Sequence, residues 1–73
     1  MRRDRLLKTL LRERFVVTLI SGEAFDGLLD RFDDQHLELV DAHAHLKDRR
    51  VDVDGRLYLP RAQVAYMQRP EAS

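Results

Sequence analysis

The sequence has no cysteine and no tryptophan, and it has only two prolines and three glycines in 73 residues. Without cysteine the chain has neither a disulfide framework nor a thiolate zinc site, and it fits a reducing compartment. A chain of this length buries only about 60% of the surface that its unfolded form exposes. Such small domains need a further source of stability, and self-association is the one that this composition favours.

Long apolar runs are also absent. No stretch approaches the roughly 20 apolar residues that span a bilayer, and residues 1–14 lack the uninterrupted apolar segment of a secretory signal. We therefore expect a soluble, cytoplasmic protein that does not contact membranes. The sequence has no glycine-rich phosphate loop and no side-chain pair typical of an activated nucleophile, so we expect neither an enzyme nor a cofactor.

The charges balance but are unevenly distributed. Thirteen basic residues oppose 13 acidic ones, so bulk attraction to nucleic acid is not indicated. Residues 1–14 are mainly basic, whereas residues 23–41 are acidic and have Arg31 as their only basic residue. If the fold keeps these segments apart, one end of the protein is positive and another is negative.

Residues 4–13 have the pattern of a short amphipathic helix. Four leucines recur at helical spacing, and Asp4 can cap the first turn. Ten residues are marginal as an isolated helix, so the leucines should dock on the rest of the domain. The opposite face either contacts an RNA backbone or is simply solvated. It consists of Arg2, Arg3, Arg5, Lys8 and Arg12.

The rest of the chain has the composition of short β-strands joined by tight turns. Gly27 in the middle of a strand indicates a bulge or a sharp bend, and Asp33 is typical of a turn. Residues 47–55 are charged and suit a loop or a solvated extension of two strands. The expected strands are residues 15–20, 24–32, 36–46, 56–59 and 62–67.

A strongly bent antiparallel sheet, curled into an open barrel, is the natural arrangement for five strands on so little chain. The last strand is short and follows Pro60, so it leaves an unpaired backbone edge. Pairing such edges around a closed ring removes them. We therefore predict a mainly β fold, with an N-terminal helix and a five-stranded bent sheet, in one domain of residues 1–73 that forms a homo-oligomeric ring.

Glycines, apolar residues and a Phe-Asp turn recur at a characteristic spacing in residues 15–46. With residues 56–68, and with residues 47–55 as a variable loop, this pattern resembles the two sequence motifs of the Sm and Sm-like (LSm and Hfq) proteins. The positions that carry the resemblance are Val17, Leu19, Gly22, Phe25, Gly27, Leu29, Phe32, Asp33, Leu37, Leu39, Asp41 and Ala42 in the first motif and Leu57 to Met67 in the second.

The resemblance implies rings of six or seven subunits, in which the fourth strand of one subunit pairs with the fifth strand of the next. It also implies binding of single-stranded RNA through Asp33, Gln35, His36 and Arg61. The chain departs from the family at this site. Gln35 stands where the stacking aromatic residue would be, His36 stands nearest the usual asparagine, and Pro60 and Arg61 replace an Arg-Gly pair. The usual stacking platform is therefore not at its expected place.

Each of these site residues also has a structural interpretation. Asp33 is expected to cap its own turn. His36 is equally consistent with an exposed strand start, and Arg61 with an ion pair to a neighbouring subunit.

His43 and His45 lie two residues apart on one strand, on the same side as Asp41. Three ligands on one strand rarely converge on one ion, so we expect solvated histidines rather than a metal site.

Two functions of different classes follow. The first is a ring that binds single-stranded RNA and acts in RNA metabolism or regulation. The second is an Sm-fold homo-oligomeric scaffold for protein partners without RNA binding, which the altered pocket and the acidic residues 23–41 favour. A monomeric or dimeric curled sheet is a third possibility.

Overall fold

The computed structural model describes residues 4–70, and within them it has one short helix and six antiparallel strands. The mainly β fold class, with an N-terminal helix and a bent antiparallel sheet, is confirmed. The helix α1 is Arg5–Thr9; the strands are β1 (Arg14–Leu19), β2 (Ala24–Phe32), β3 (His36–His45), β4 (Arg50–Asp52), β5 (Leu57–Pro60) and β6 (Val64–Gln68), with a 3-10 turn at Arg61–Gln63.

The strands form one sheet in the order β4-β3-β2-β1-β6, and β5 also pairs with β3. Strand β4 lies opposite residues 43–45 of β3, and β5 lies opposite residues 36–39. The two short strands are therefore segments of one interrupted edge, and the hairpin of residues 46–52 is the solvated extension expected for the charged loop. Within residues 4–70, β5 and β6 do not pair with each other, so the barrel is open between them.

The bend of β2 lies at Gly27, as its sequence predicts. The register with β3 shifts between Asp26 and Leu28. A Cβ atom on Gly27 would lie 3.1 Å from Leu39 Cβ and 3.2 Å from Ala42 Cβ. Only glycine lets β3 pass this close, so the residue is required by a close approach of backbones.

The hydrophobic core lies on the inner side of the curled sheet. On β3 and β5 the buried leucines alternate with polar residues, so Glu38 and Tyr58 lie on the outer face. Burying one leucine or phenylalanine side chain stabilises the fold by about 1.5 to 3 kcal/mol. The core residues are Phe15, Val17, Leu29, Leu37, Leu39, Ala42 and Leu59.

The helix is shorter than the leucine pattern predicts. It ends at Thr9 instead of residue 13, because Arg12 adopts a left-handed conformation with φ of 69° and turns the chain into β1. The docking of the leucines is confirmed for Leu7, Leu10 and Leu11, which pack against the core. No helix in the described part of the chain is long and apolar enough to cross a membrane.

Asp4 does not cap the helix through its side chain, contrary to expectation. Its Oδ1 instead accepts a hydrogen bond from Nη2 of Arg61 at 2.9 Å. The start of the helix is thereby tied to the 3-10 turn between β5 and β6.

Candidate nucleic-acid interface

The turn between β2 and β3 brings together the four residues that the resemblance points to. Oδ1 of Asp33 accepts the backbone N–H groups of Gln35 at 2.8 Å and His36 at 2.7 Å. The carbonyl of Gln35 accepts the backbone N–H of Arg61 at 2.8 Å. Asp33 therefore caps its own turn, and these two N–H bonds lower the pKa of its carboxyl group. Gln35 and His36 are left with exposed side chains.

Arg61 connects the 3-10 turn to the β2–β3 turn and to the start of the helix, and acts as a brace between these three segments. Its Nη1 donates to the carbonyl of Asp33 at 2.6 Å, and its Nη2 donates to Asp4. The predicted carboxylate partner on another subunit is here supplied by the same chain. Only 24% of the Arg61 side chain is exposed, and it lines a small apolar cleft with Leu6 and Leu7. Arg61 thus positions the turn more than it presents a charge to solvent.

An open hollow of about 420 Å³ lies beside this turn, at the ends of β2, β3 and β5. Its aromatic residue Tyr58 is 59% exposed, whereas Phe32 packs against the core. Tyr58, Arg31 and Glu38 were not predicted as site residues, although the alternation of Leu37, Glu38 and Leu39 is a sign of an outward-facing side chain. This outer hollow is lined by Arg31, Phe32, Asp33, His36, Glu38 and Tyr58.

Glu38 is the buried charge of the outer hollow, with 8% of the residue exposed. Its Oε1 accepts a hydrogen bond from Nη1 of Arg56 at 2.8 Å. Its Oε2 lies 3.7 Å from Nε of Arg31, which is too long for a hydrogen bond. Arg56 also donates to Asp30 at 2.8 Å, and this bond lowers the pKa of Asp30 and raises that of Arg56.

A second cluster of charged groups surrounds Asp26, of which 5% is exposed. Its Oδ1 accepts from Arg14 at 2.7 Å and from Nδ1 of His43 at 2.9 Å. Its Oδ2 accepts from Nε2 of His45 at 2.6 Å and lies 3.2 Å from Nε of Arg50. Burial alone would raise the pKa of Asp26, but the hydrogen bonds from His45 and His43 outweigh it, and the pKa is lowered. We call these five residues the Asp26 cluster.

The expectation of solvated histidines is wrong, because both rings are bonded to Asp26, a residue on another strand. Asp41 does not join them: its side chain is 68% exposed and pairs with Arg14 at 2.6 Å. Within residues 4–70, no group of three His, Cys, Asp or Glu side chains is placed to hold a metal ion.

The fold does not keep the basic and acidic segments apart. Arg12 pairs with Asp30, and Arg14 pairs with Asp26, so arginines beside the helix neutralise the acidic segment. Of the predicted basic face, Arg5, Lys8 and Arg12 have exposed side chains. Arg2 and Arg3 lie outside the described residues.

Solved structures of Sm-like proteins have a similar arrangement of helix and strands. The P. aerophilum SmAP1 heptamer matches with a TM-score of 0.83 and 19% identity over 92% of this chain and 90% of that chain. The Pyrococcus abyssii Sm protein, solved in complex with a uridine heptamer, matches with a TM-score of 0.77 and 22% identity over 86% and 90%. This chain has the Sm fold.

A chain of the NatC complex bound to CoA is similar in structure as well, with a TM-score of 0.78 and 20% identity to this protein over 89% of this chain and 84% of that chain. No protein-family model and no curated protein matches the sequence. At these identities the likeness concerns the fold. The recognition of Sm-type motifs in the sequence is thereby confirmed at the level of the fold.

Proposed function

We propose that this protein is the subunit of a homo-oligomeric ring of six or seven copies. The observation that carries the proposal is the pair of open edges, since β5 and β6 each have a strand partner on one side only within residues 4–70. Pairing β5 of one copy with β6 of the next satisfies both of these edges in every copy of a closed ring. Tyr66 on β6 is more than half exposed, which fits an edge that becomes covered.

The ring is proposed to bind single-stranded RNA in the cytoplasm and to act in RNA metabolism or regulation, without an enzymatic activity or a cofactor. The exposed Gln35 and His36 offer hydrogen bonds to base edges, on a turn held by Asp33 and Arg61. The exposed Arg5 and Lys8 of the helix offer contacts to phosphates. A protein of the same fold, from Pyrococcus abyssii, was solved with a uridine heptamer.

Two measurements test this proposal. The solution mass of the purified protein should correspond to six or seven chains. A labelled oligonucleotide should bind at low salt, with an affinity that falls as salt rises. A well-folded monomer at high concentration contradicts the ring, and the absence of binding for every base composition contradicts the RNA site.

Variants of the exposed turn residues locate the RNA site. His36→Ala and Gln35→Ala should each weaken oligonucleotide binding by about tenfold, as expected for a lost base contact. They are cleaner than Arg61→Ala, which removes the brace between Asp33 and Asp4. Ser21→Ala, in the turn at the opposite end of β2, is the matched control and should bind like the unaltered protein.

The alternative is an Sm-fold scaffold that binds protein partners and no RNA. The occurrence of the fold in a chain of the NatC complex favours it, because that chain belongs to a protein assembly. Under this alternative the ring forms, but the unaltered protein and the His36→Ala variant show the same negligible oligonucleotide affinity.

A further inference from the structure

The outer hollow contains a carboxylate oxygen to which residues 4–70 donate no hydrogen bond. Glu38 is nearly buried and bonded to Arg56 through Oε1 only. Within residues 4–70, every side-chain oxygen or nitrogen that is buried from solvent has a hydrogen-bond partner. Because Oε2 of Glu38 has none, it must be open to the solvent of the hollow that Glu38 lines. An N–H donor that enters the hollow would give Oε2 of Glu38 the hydrogen bond that it lacks.

Flat and cationic side chains line the same hollow, together with the carboxylate of Asp33. Tyr58 pairs with Glu38 across β5 and β3 and is 59% exposed, so its ring is open to stacking. The side chain of His36 is 48% exposed at the same hollow, and that of Arg31 is 76% exposed. Aromatic rings bind nucleobases by stacking, and arginine binds phosphate. The volume of about 420 Å³ also lies in the range of small-ligand sites.

We propose that the outer hollow binds a guanine nucleotide of the RNA strand, with Glu38 as the residue that selects the base. This inference rests on the proposed function and names the base that its site prefers. Tyr58 stacks on the guanine, Arg31 contacts its phosphate, and Oε2 of Glu38 accepts from the base edge.

The choice of guanine follows from the donors that each base presents. Guanine has adjacent N1–H and N2–H donors on one edge, which suit an acceptor-only carboxylate. Adenine and cytosine each offer an amino group. Uracil offers its single N–H between two carbonyl oxygens, which repel the carboxylate. The expected order of affinity is guanine, then adenine and cytosine, then uracil.

Mononucleotides test the hollow independently of the ring and of strand binding. Calorimetric titration of the unaltered protein should give the tightest binding for 5′-GMP, weaker binding for 5′-IMP, which lacks the N2 amino group, and the weakest for 5′-UMP. The difference between GMP and UMP should be about tenfold or more, as for other base-edge contacts. Two heptanucleotides, U7 and U3GU3, then test guanine within a strand, and U3GU3 should bind about tenfold more tightly.

Glu38→Gln is the decisive variant because the amide keeps the size of the side chain and an acceptor for Arg56. The amide also has a donor for a uracil carbonyl, so the preference for guanine should vanish. Tyr58→Leu should weaken GMP and IMP by the same factor, since the two purines stack alike. Glu13→Gln, which removes a carboxylate paired with Arg69 at 3.5 Å, is the control and should keep the preference. Circular dichroism and solution mass establish that each variant is folded.

Several results overturn the inference. Equal binding of U7 and U3GU3 by the unaltered protein sinks the guanine assignment while RNA binding stands. A preference that persists in folded Glu38→Gln removes Glu38 as its source. Binding of GMP but of no oligonucleotide supports the hollow and sinks the proposed function, and binding of neither sinks both. If Glu38→Gln does not fold, the order of GMP, IMP and UMP and the result for Tyr58→Leu decide.

Discussion

The Asp26 cluster and the outer hollow are two versions of the same arrangement, a nearly buried carboxylate among cations on the outer face of one sheet. Asp26 is 5% exposed and Glu38 is 8% exposed. Both oxygens of Asp26 are bonded, to arginine and histidine side chains of other strands. Glu38 has a hydrogen bond to one oxygen only. A carboxylate whose acceptors are all occupied stabilises the fold, whereas a half-occupied one can bind a ligand.

The position of each carboxylate in the sheet explains this difference. Asp26 lies on β2 with β1 on one side and β3 and β4 on the other, and all three strands supply arginine or histidine side chains to it. Glu38 lies on β3 next to β5, beyond which the described sheet ends. Fewer neighbouring strands leave the hollow open and leave Oε2 without a donor.

The largest effect on folding stability should come from removing the carboxylate at the centre of the Asp26 cluster. Asp26→Ala leaves two arginines and two histidines without their shared acceptor, and it should lower the free energy of unfolding by about 3 kcal/mol, the low end for a broken buried ion pair. Urea unfolding measures this. Asp52→Ala is the control, because that side chain is 91% exposed although it lies 3.1 Å from His43. Its effect should stay within about 0.5 kcal/mol. Equal effects of the two would mean that Asp26 is not structural.

Gly27→Ala should have the next largest effect on folding stability. Gly27 forms the bend of β2 between the Asp26 cluster and the outer hollow. The added methyl would lie 3.1 Å from Leu39 Cβ, so β3 must shift, at about 1 to 3 kcal/mol. Gly55→Asn is the control: no atom lies within 4 Å of its Cβ position, and asparagine tolerates its φ of 79°. Thermal or urea unfolding compares the two variants, and a neutral Gly27→Ala would contradict the close approach.

Acid should weaken the Asp26 cluster by a smaller amount. The pKa of Asp26 in the folded protein is lowered from its ordinary value of 3.8. The stability that it contributes is therefore fully present above that pH and is lost as the pH falls below it toward the folded pKa. Urea midpoints measured between pH 7 and pH 3 should fall, and they should fall less in Asp26→Asn. Part of the decrease should remain, because the pKa values of Asp30 and Asp33 are also lowered. The same acid response in both proteins would show that Asp26 is not involved.

The smallest effect on folding is expected in the outer hollow. The Arg31 side chain is 76% exposed and lies 3.7 Å from Glu38, so Arg31→Gln should change the free energy of unfolding by less than about 0.5 kcal/mol. Its effect should appear in binding, as a weaker oligonucleotide affinity and a salt slope reduced by about one. Arg49→Gln, in the exposed turn between β3 and β4, should change neither. A large loss of stability in Arg31→Gln would make the hollow a structural cluster like that of Asp26.

Local patterns were sufficient to predict much of the sheet. The bounds of β2 agree with the expected residues 24–32, since its turn signals and Gly27 act through nearby backbone. The Asp33 turn was predictable for the same reason, because its hydrogen bonds reach only two and three residues along the chain. The end of the helix was not, since the leucine pattern continues past Thr9 and only the pairing of β1 with β2 requires the chain to turn at Arg12.

The sequence by itself determined the bent β fold with open edges, because alternation, glycines and turn residues act over a few positions. It also pointed to Asp33, Gln35, His36 and Arg61 through the spacing of the Sm motifs. Only the tertiary structure decided which arginine meets which carboxylate. Asp26 and His43, or Glu38 and Arg56, are 17 and 18 residues apart in the chain and meet through strand register. Charge alone carries no information about register, so the closed cluster and the open hollow look the same in the sequence.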